Sequence, residues 1–316
     1  MTMRIYFATD IHGSEVCWRK FLNAARFYNA DTLILGGDVS GKAVVPVVAH
    51  PSGGYLVREL SGNKVLDKEE TAHAETRIMD MGFYPYRTTD EELDDIWDKP
   101  EAVNAIFLQL MRETLSRWLD LAGERLGGTG IRLYAMTGND DPPELQEMLR
   151  QSPALTETEE GLVDLGEGVT MISCGYSNPT PWHTPREMTD EDLERRIDKL
   201  ASRVEHPERS IFNLHVPPAH TSIDKAPALD ATLKPVVKGG AVVMQSVGSE
   251  GVRRLLERYQ PMLGLHGHIH ESRGAVRVGS TVAINPGSEY GDGVLRGAIL
   301  DIDRKRGIKH YQLPAG

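Results

Sequence analysis

Cysteine is nearly absent from this 316-residue chain. Cys17 and Cys174 are its only two, too few for the disulfide framework of a small secreted domain. Long apolar runs are missing as well, since no stretch approaches the roughly 20 residues that cross a bilayer as a helix. At the start, Met1-Thr2-Met3-Arg4 leads at once into Ile5-Tyr6-Phe7-Ala8. This is a buried-strand pattern, with no room for the apolar core and cleavage region of a secretory leader. Together these absences point to the cytoplasm and away from a membrane. Positive charge is also in short supply: 35 Lys and Arg stand against 46 Asp and Glu, for a net charge of −11. That balance disfavours a protein that coats nucleic acid through its phosphates, which needs clustered Lys and Arg. The one compact basic run, Arg304-Lys305-Arg306, reads as a solvated hairpin turn. An acidic chain can still act on a phosphate ester when metal ions supply local positive charge. The charge therefore excludes a binding mode, not a substrate class.

What the chain does contain is a series of short apolar runs, each ending in polar residues, the first two in an acidic residue with a glycine close by. Residues 4–9 read as a strand that ends in Asp10-Ile11-His12-Gly13, and Ser14 can cap the amphipathic helix that follows. Thr32-Leu33-Ile34-Leu35 leads into Gly36-Gly37-Asp38, and Ile131–Met136 into Thr137-Gly138-Asn139-Asp140-Asp141. Ser210–Leu214 ends in His215, followed by Val216-Pro217-Pro218, and Met262–Leu265 runs into His266-Gly267-His268-Ile269-His270. Ligands of open α/β sheets bind beyond the carboxyl ends of strands. All five polar groups therefore fall where a site is expected.

Residues 42–130 interrupt this pattern. Gly54–Leu60 and Asn63–Leu66, joined by Ser61-Gly62, predict a small hairpin. Residues 67–81 predict a helix, and 101–126 predict a longer one with Val103, Ile106, Phe107, Leu110, Leu115, Trp118 and Leu121 on its apolar face. The region reads as a mainly helical inserted cap or docking subregion within a single domain covering 1–316. Further on, an antiparallel pair at 162–165 and 169–174, a charged helix at 189–204, a long loop at 217–246, a helix from Ser249 to Tyr259 and four closing strands complete the reading. Asn285-Pro286-Gly287-Ser288 lies between two of those strands.

Three of the eleven histidines fall between 266 and 270. Two imidazoles two residues apart in an extended loop can face metal ions, and taken alone they can equally be polar decoration. In company with Asp10, His12, Asp38, Asn139 and His215, the metal reading prevails. Mixed imidazole, carboxylate and amide donors suit Mn, Fe or Zn rather than Ca.

On the motifs Asp10-Ile11-His12, Gly37-Asp38, Gly138-Asn139, His215 with Pro217, and Gly267-His268-Ile269-His270, the chain resembles the calcineurin-like metallophosphoesterases from residue 4 to about 290, the insertion excepted. The resemblance implies an α/β (α+β) four-layer sandwich of two mixed sheets flanked by helices. It also implies two divalent ions: Asp10, His12, Asp38 and His270 would hold one, Asp38 would bridge, and Asn139, His215 and His268 would hold the other. The implied reaction is attack of a hydroxide generated at the dinuclear centre on the phosphorus of a monoester or diester, with Asp38, Asn139 and the residue after it in the catalytic group. That last position departs from the family, which carries a histidine there as general acid or phosphate donor; here it is Asp140. Losing a general acid typically costs ~10²–10⁴-fold, so substrates with good leaving groups suffer least, and the reading leans to a diester.

His220, in the Pro-Pro-Ala-His-Thr segment, is a candidate substrate-pocket residue. His266 reads as packing or as support for a ligand. A nuclease is a second reading and would need a basic groove from Arg58, Lys64, Arg77 and Arg87. A metal-binding scaffold with weak or lost catalysis, docking partners through its insertion, is a third, and Asp140 favours it.

Overall fold

Two sheets carry the fold, and the alternation of their side chains explains the layering. The computed structural model describes residues 2–166, 168–303 and 307–316; the Arg304-Lys305-Arg306 turn lies outside them. The first sheet contains β1 (Thr2–Ala8), β2 (Thr32–Gly36), β3 (Arg132–Met136) and β4 (Thr156–Glu157). The second contains β5 (Leu162–Asp164), β6 (Thr170–Cys174), β7 (Ser210–Leu214), β8 (Leu263–Leu265), β9 (Gly274–Val278) and β10 (Thr281–Asn285), while β11 (Ala298–Asp303) and β12 (Gly307–Gln312) return to the first. Among the described residues the orders are β12-β11-β1-β2-β3-β4 and β9-β10-β8-β7-β6-β5. In the first sheet β1, β2, β3 and β4 are parallel and β11 closes antiparallel on β1. In the second, β6, β7, β8 and β10 are parallel and β5 and β9 are antiparallel edges.

Strand side chains alternate between faces, so β1 presents Ile5 and Phe7 to one side and Tyr6 and Ala8 to the other. Ile5 and Phe7 meet Ile34, Met171, Ile211, Leu265 and Ile284 in the core between the sheets. Tyr6 and Ala8 pack under α1 (Glu15–Phe27), against Trp18, Phe21 and Leu22. On the far side, Phe212 and Leu214 pack beneath the helices Asp190–Ala201 and Glu250–Tyr259 through Leu193, Ile197, Leu255 and Leu256. The result is helix, sheet, sheet, helix, the layering that the resemblance implies. Both faces of each sheet are covered, which is why the strands are continuously apolar rather than alternating.

The inserted stretch differs in detail from its sequence reading. The predicted hairpin does not form. Tyr55–Leu56 is a two-residue strand, Arg58–Ser61 turns into a short helix, and Leu66 bridges back to Tyr55. Tyr55 exchanges both backbone hydrogen bonds with Leu66, and Tyr55–Leu56 also pairs antiparallel with Val44–Ala49, which pairs in parallel with Tyr84–Thr88. This stretch therefore holds a three-stranded sheet as well as helices. The parallel partner of Val44–Ala49 leaves no local turn signature, so nothing in the sequence at 54–66 announces that sheet. The long helix, Pro100–Leu126, packs on α1 through a stacked Trp18–Trp118 pair with ring centroids 5.1 Å apart. Residues 217–246 carry two small hairpins, with Lys225–Pro227 on Met244–Ser246 and Val237–Lys238 on Ala241–Val242. No helix among the described residues is long and apolar enough to cross a membrane.

Candidate metal centre

The carboxyl ends of β1, β2, β3, β7 and β8 converge, and each delivers a polar side chain to one buried point. Asp10, His12, Asp38, Asn139 and His215 are all at most 2% exposed. Ligand-capable atoms of Asp10, His12 and His270 lie within 4.8 Å of one another, as do those of Asp38, His215 and His268, and a third such set is His12, Asp38 and Asp140. Asp38 Oδ2 is 3.5 Å from His12 Nε2 and 3.3 Å from His215 Nε2. Asp10 Oδ1 is 3.4 Å from His270 Nε2 and 3.8 Å from His215 Nε2, and the ring nitrogens of His12 and His270 face each other at 3.1 Å.

Local chain geometry makes this convergence possible. Asp10, His12, Asp38 and His268 all adopt positive φ, between 38° and 66°, a conformation that costs a non-glycine residue energy and concentrates at functional sites. The glycines before Asn139 and His268 have a steric role. A Cβ at Gly138 would fall on Asp38 Oδ1 and its amide nitrogen, and one at Gly267 on the Asp10 carboxylate and the Thr9 hydroxyl. Several buried hydrogen bonds hold the loops. Asp141 accepts from the backbone N–H of Val39, Ser40 and Gly138 at 2.8–3.0 Å, clamping the ends of β2 and β3 together. The Asn285 amide donates to Gly267 O and Ile269 O, fixing the histidine loop, and Ser288 donates to Asp10 O. His268 N–H reaches both Asp10 oxygens at 3.1 Å.

The donors that remain unpaired say what the site lacks. His215 Nδ1 donates to Gly36 O at 2.9 Å, so in the neutral ring Nε2 carries the lone pair, and this buried Nε2 has no hydrogen-bond partner. Asn139 donates through Nδ2 to Thr184 Oγ1 at 2.9 Å and to Asp140 Oδ1 at 3.2 Å, while its buried Oδ1 accepts nothing. His12 Nδ1 is likewise buried and unpartnered. Buried polar atoms are ordinarily satisfied, and three unpartnered atoms in a carboxylate cluster fit a cation. The electrostatics agree. Burial disfavours charge on His215, yet the Asp38 and Asp10 carboxylates push it up to about 10. Burial alone would raise Asp38, and the neighbouring His215 and His12 hold it well below the usual carboxylate range. The position demands positive charge, and the donor set fits a transition-metal ion.

The sequence reading overlooked several residues that shape this site. Lys42 forms an ion pair with Asp140, and Tyr290 lays its ring on His12 at 4.7 Å and on His270 at 5.9 Å. Thr184 orients Asn139 and is itself held by Glu187 at 2.7 Å. None carries a short-range signal, because each reaches the site from a different loop. His220 is a different case. It is exposed and its Nε2 pairs with Glu250 at the start of the helix Glu250–Tyr259. Of the four cations considered for a basic groove, Lys64 faces Glu70 and Arg87 faces Glu75, so two of the charges are neutralised within the insertion.

His266 lies behind the ligands. Its Nδ1 donates to Leu214 O at 2.8 Å, and burial pushes its pKa down to about 4. The unfolded ring, near 6.5, takes a proton before the folded one does, so this stability is present above pH 6.5 and is lost as pH falls toward 4. Between pH 7 and 5 the loss is expected to be about 2 kcal/mol. Denaturant titrations of chelator-treated wild type and His266→Gln at both pH values would check this: the variant should lose less by that amount, and an identical pH dependence would refute it.

No family model matches the sequence. The uncharacterized protein MJ1162 of Methanocaldococcus jannaschii is 30% identical over 122 residues, 38% of this chain, and the match spans about half (49%) of that relative's length. One solved crystal structure aligns over 99% of both chains at a TM-score of 0.57 and 16% identity. YfcE, a phosphoesterase from E. coli, aligns over 98% of both chains with a TM-score of 0.33 and 14% identity. The structure aligned at a TM-score of 0.57 shares the fold of this chain. All seven motif residues named from the sequence come together at one end of the paired sheets. Asp140 stands beside them, at the position where the family pattern has histidine.

Proposed function

We propose that this protein is a metal-dependent phosphoesterase that hydrolyses a phosphodiester or phosphomonoester. The observation that carries the reading is the buried cluster in which two carboxylates, four imidazoles and one amide meet, with His12 Nδ1, Asn139 Oδ1 and His215 Nε2 left unpaired. On this reading Asp10, His12, Asp38 and His270 hold one divalent ion, Asn139, His215 and His268 hold another, and Asp38 is shared. Mn, Fe and Zn suit the mixed donors. Such ions, when bound, lower the pKa of water toward neutrality and offset charge on phosphoryl oxygens.

The chain's own contribution is orientation and charge. Thr9 donates to Asp10 Oδ2 at 2.7 Å and Gly36 O fixes the His215 tautomer, so these two ligands are each held by a second partner. Asn139 adds a donor atom without a further negative charge, which keeps the cluster open to an anionic phosphate. A scaffold that binds metal but turns over weakly is the second reading, and the ion-paired Asp140 in place of a proton donor is the observation that favours it.

The experiment is hydrolysis of nitrophenyl phosphate mono- and diesters by chelator-stripped protein with and without added Mn. Restored metal is expected to raise the rate by at least ~10²-fold, the diester exceeding the monoester. Rates equal with and without metal would overturn the reading. Full metal binding with no turnover on either ester would favour the scaffold.

A further inference from the structure

We infer that Lys42 is the residue that contacts a non-bridging oxygen of the substrate's phosphoryl group, with Asp140 as its anchor. This rests on the phosphoesterase reading of the cluster and adds a residue that stands outside the ligand motifs.

The position of Lys42 is built rather than incidental. Its backbone N–H donates to Gly82 O at 3.1 Å, and the preceding Gly41 N–H donates to Tyr84 Oη at 2.8 Å. A Cβ at Gly41 would press on Gly82 O at 2.6 Å, and one at Gly13 on Gly41 at 2.5 Å, so this turn is packed with no room to shift. The side chain then runs toward the cluster, and its ammonium pairs with Asp140 Oδ2. Asp140 is fixed from three directions. Its N–H donates to Asp38 Oδ1 at 3.0 Å, its Oδ1 accepts from Asn139 Nδ2 at 3.2 Å, and its Oδ2 lies 3.9 Å from His12 Nδ1.

The ammonium is thus held one carboxylate away from the cluster, with the Lys42 side chain 35% exposed and Asp140 20% exposed. Its charge acts on Asp38, His12, His270 and Tyr290. This partly exposed cation stands beside the buried cluster, where an anion bound at the cluster would find it. A lysine suits the task because its three donors rotate on a flexible stem and can turn from Asp140 to an incoming oxygen. Tyr290, packed on His12 and His270, also stands within reach of the Lys42 charge.

The bland alternative is that Lys42 merely neutralises Asp140, and a double substitution separates the two. Binding of inorganic phosphate to Mn-loaded full-length protein is measured by titration calorimetry, with Mn stoichiometry measured separately. Lys42→Met is expected to bind Mn as wild type does and to bind phosphate about 10–100-fold more weakly, the range for a contact between charged groups. Lys42→Arg is expected to keep most of the affinity. In Lys42→Met with Asp140→Asn both charges are gone and the net charge is unchanged, and phosphate binding is expected to stay at least about 10-fold weak. Phosphate affinity restored to the wild-type value in the double variant would overturn the inference while leaving the metal site intact. Wild-type protein that binds no Mn would overturn the reading of the cluster and the inference with it.

Discussion

Asp38→Ala is expected to lower metal-dependent hydrolysis of aryl phosphate esters by on the order of 10³-fold or more, at the upper end of what removing one preorganised electrostatic group costs. The reason is its place in the cluster: its Oδ2 faces His12 and His215, and it belongs to two of the three ligand sets. Alanine removes the shared donor and the charge that draws a cation to His215. Metal stoichiometry, by elemental analysis, should fall with it. The thermal signature should separate binding from folding. An ion present at 100 times its dissociation constant stabilises the native state by about 2.7 kcal/mol, and Asp38→Ala should lose that gain. Its metal-free melting temperature should also fall, because His215 and His12 lose the carboxylate they pair with and Asp140 N–H loses its acceptor, so the metal-induced rise in melting temperature is the quantity that reports binding. Unchanged turnover and unchanged metal content would remove Asp38 from the site.

Gly138→Ala carries the second large effect, through sterics alone. No positive φ is required at this glycine, so alanine meets no backbone penalty there. Its Cβ, however, would occupy the space of Asp38 Oδ1 and the Asp38 amide nitrogen, and it would crowd the clamp that Asp141 makes to Gly138 N–H at 2.8 Å. Overpacking of this kind typically costs about 1–3 kcal/mol, and displacing a ligand's support lowers metal affinity by about 10–100-fold. Gly123→Ala, inside the helix Pro100–Leu126 and 3.9 Å from its nearest neighbour, is the control. It should stabilise by up to about 1 kcal/mol and leave metal binding unchanged. Denaturant melts and Mn titrations of both variants would check the pair. Gly138→Ala that binds Mn as tightly as wild type would show that the loop can relax around the added methyl.

Much of the molecule was legible without coordinates. The core strands that reach the site are short apolar runs ending in polar residues, and Asn139 and His268 follow glycines for the steric reason found at Gly138 and Gly267. That local regularity is why Asp10, Asp38, Asn139, His215 and His268 could be named together. The insertion was less legible. Val44–Ala49 finds its parallel partner at Tyr84–Thr88, and a pairing across that distance leaves no periodic trace in either segment. His220 was singled out on proximity to a proline turn, and the structure gives it Glu250 as its partner.

Residue identity at strand ends was enough to name the donors, because a strand delivers its last side chain to a place that its own length and the parallel sheet dictate. Which groups stand around those donors was decided only in three dimensions. Asp140 read from sequence is a missing histidine; in the fold it is an anchored carboxylate facing Lys42, from a turn ninety-eight residues earlier. Thr184 and Tyr290 likewise arrive on separate loops. Their positions follow from how the loops pack on one another. That packing is set by the whole core, and no short stretch of sequence encodes it.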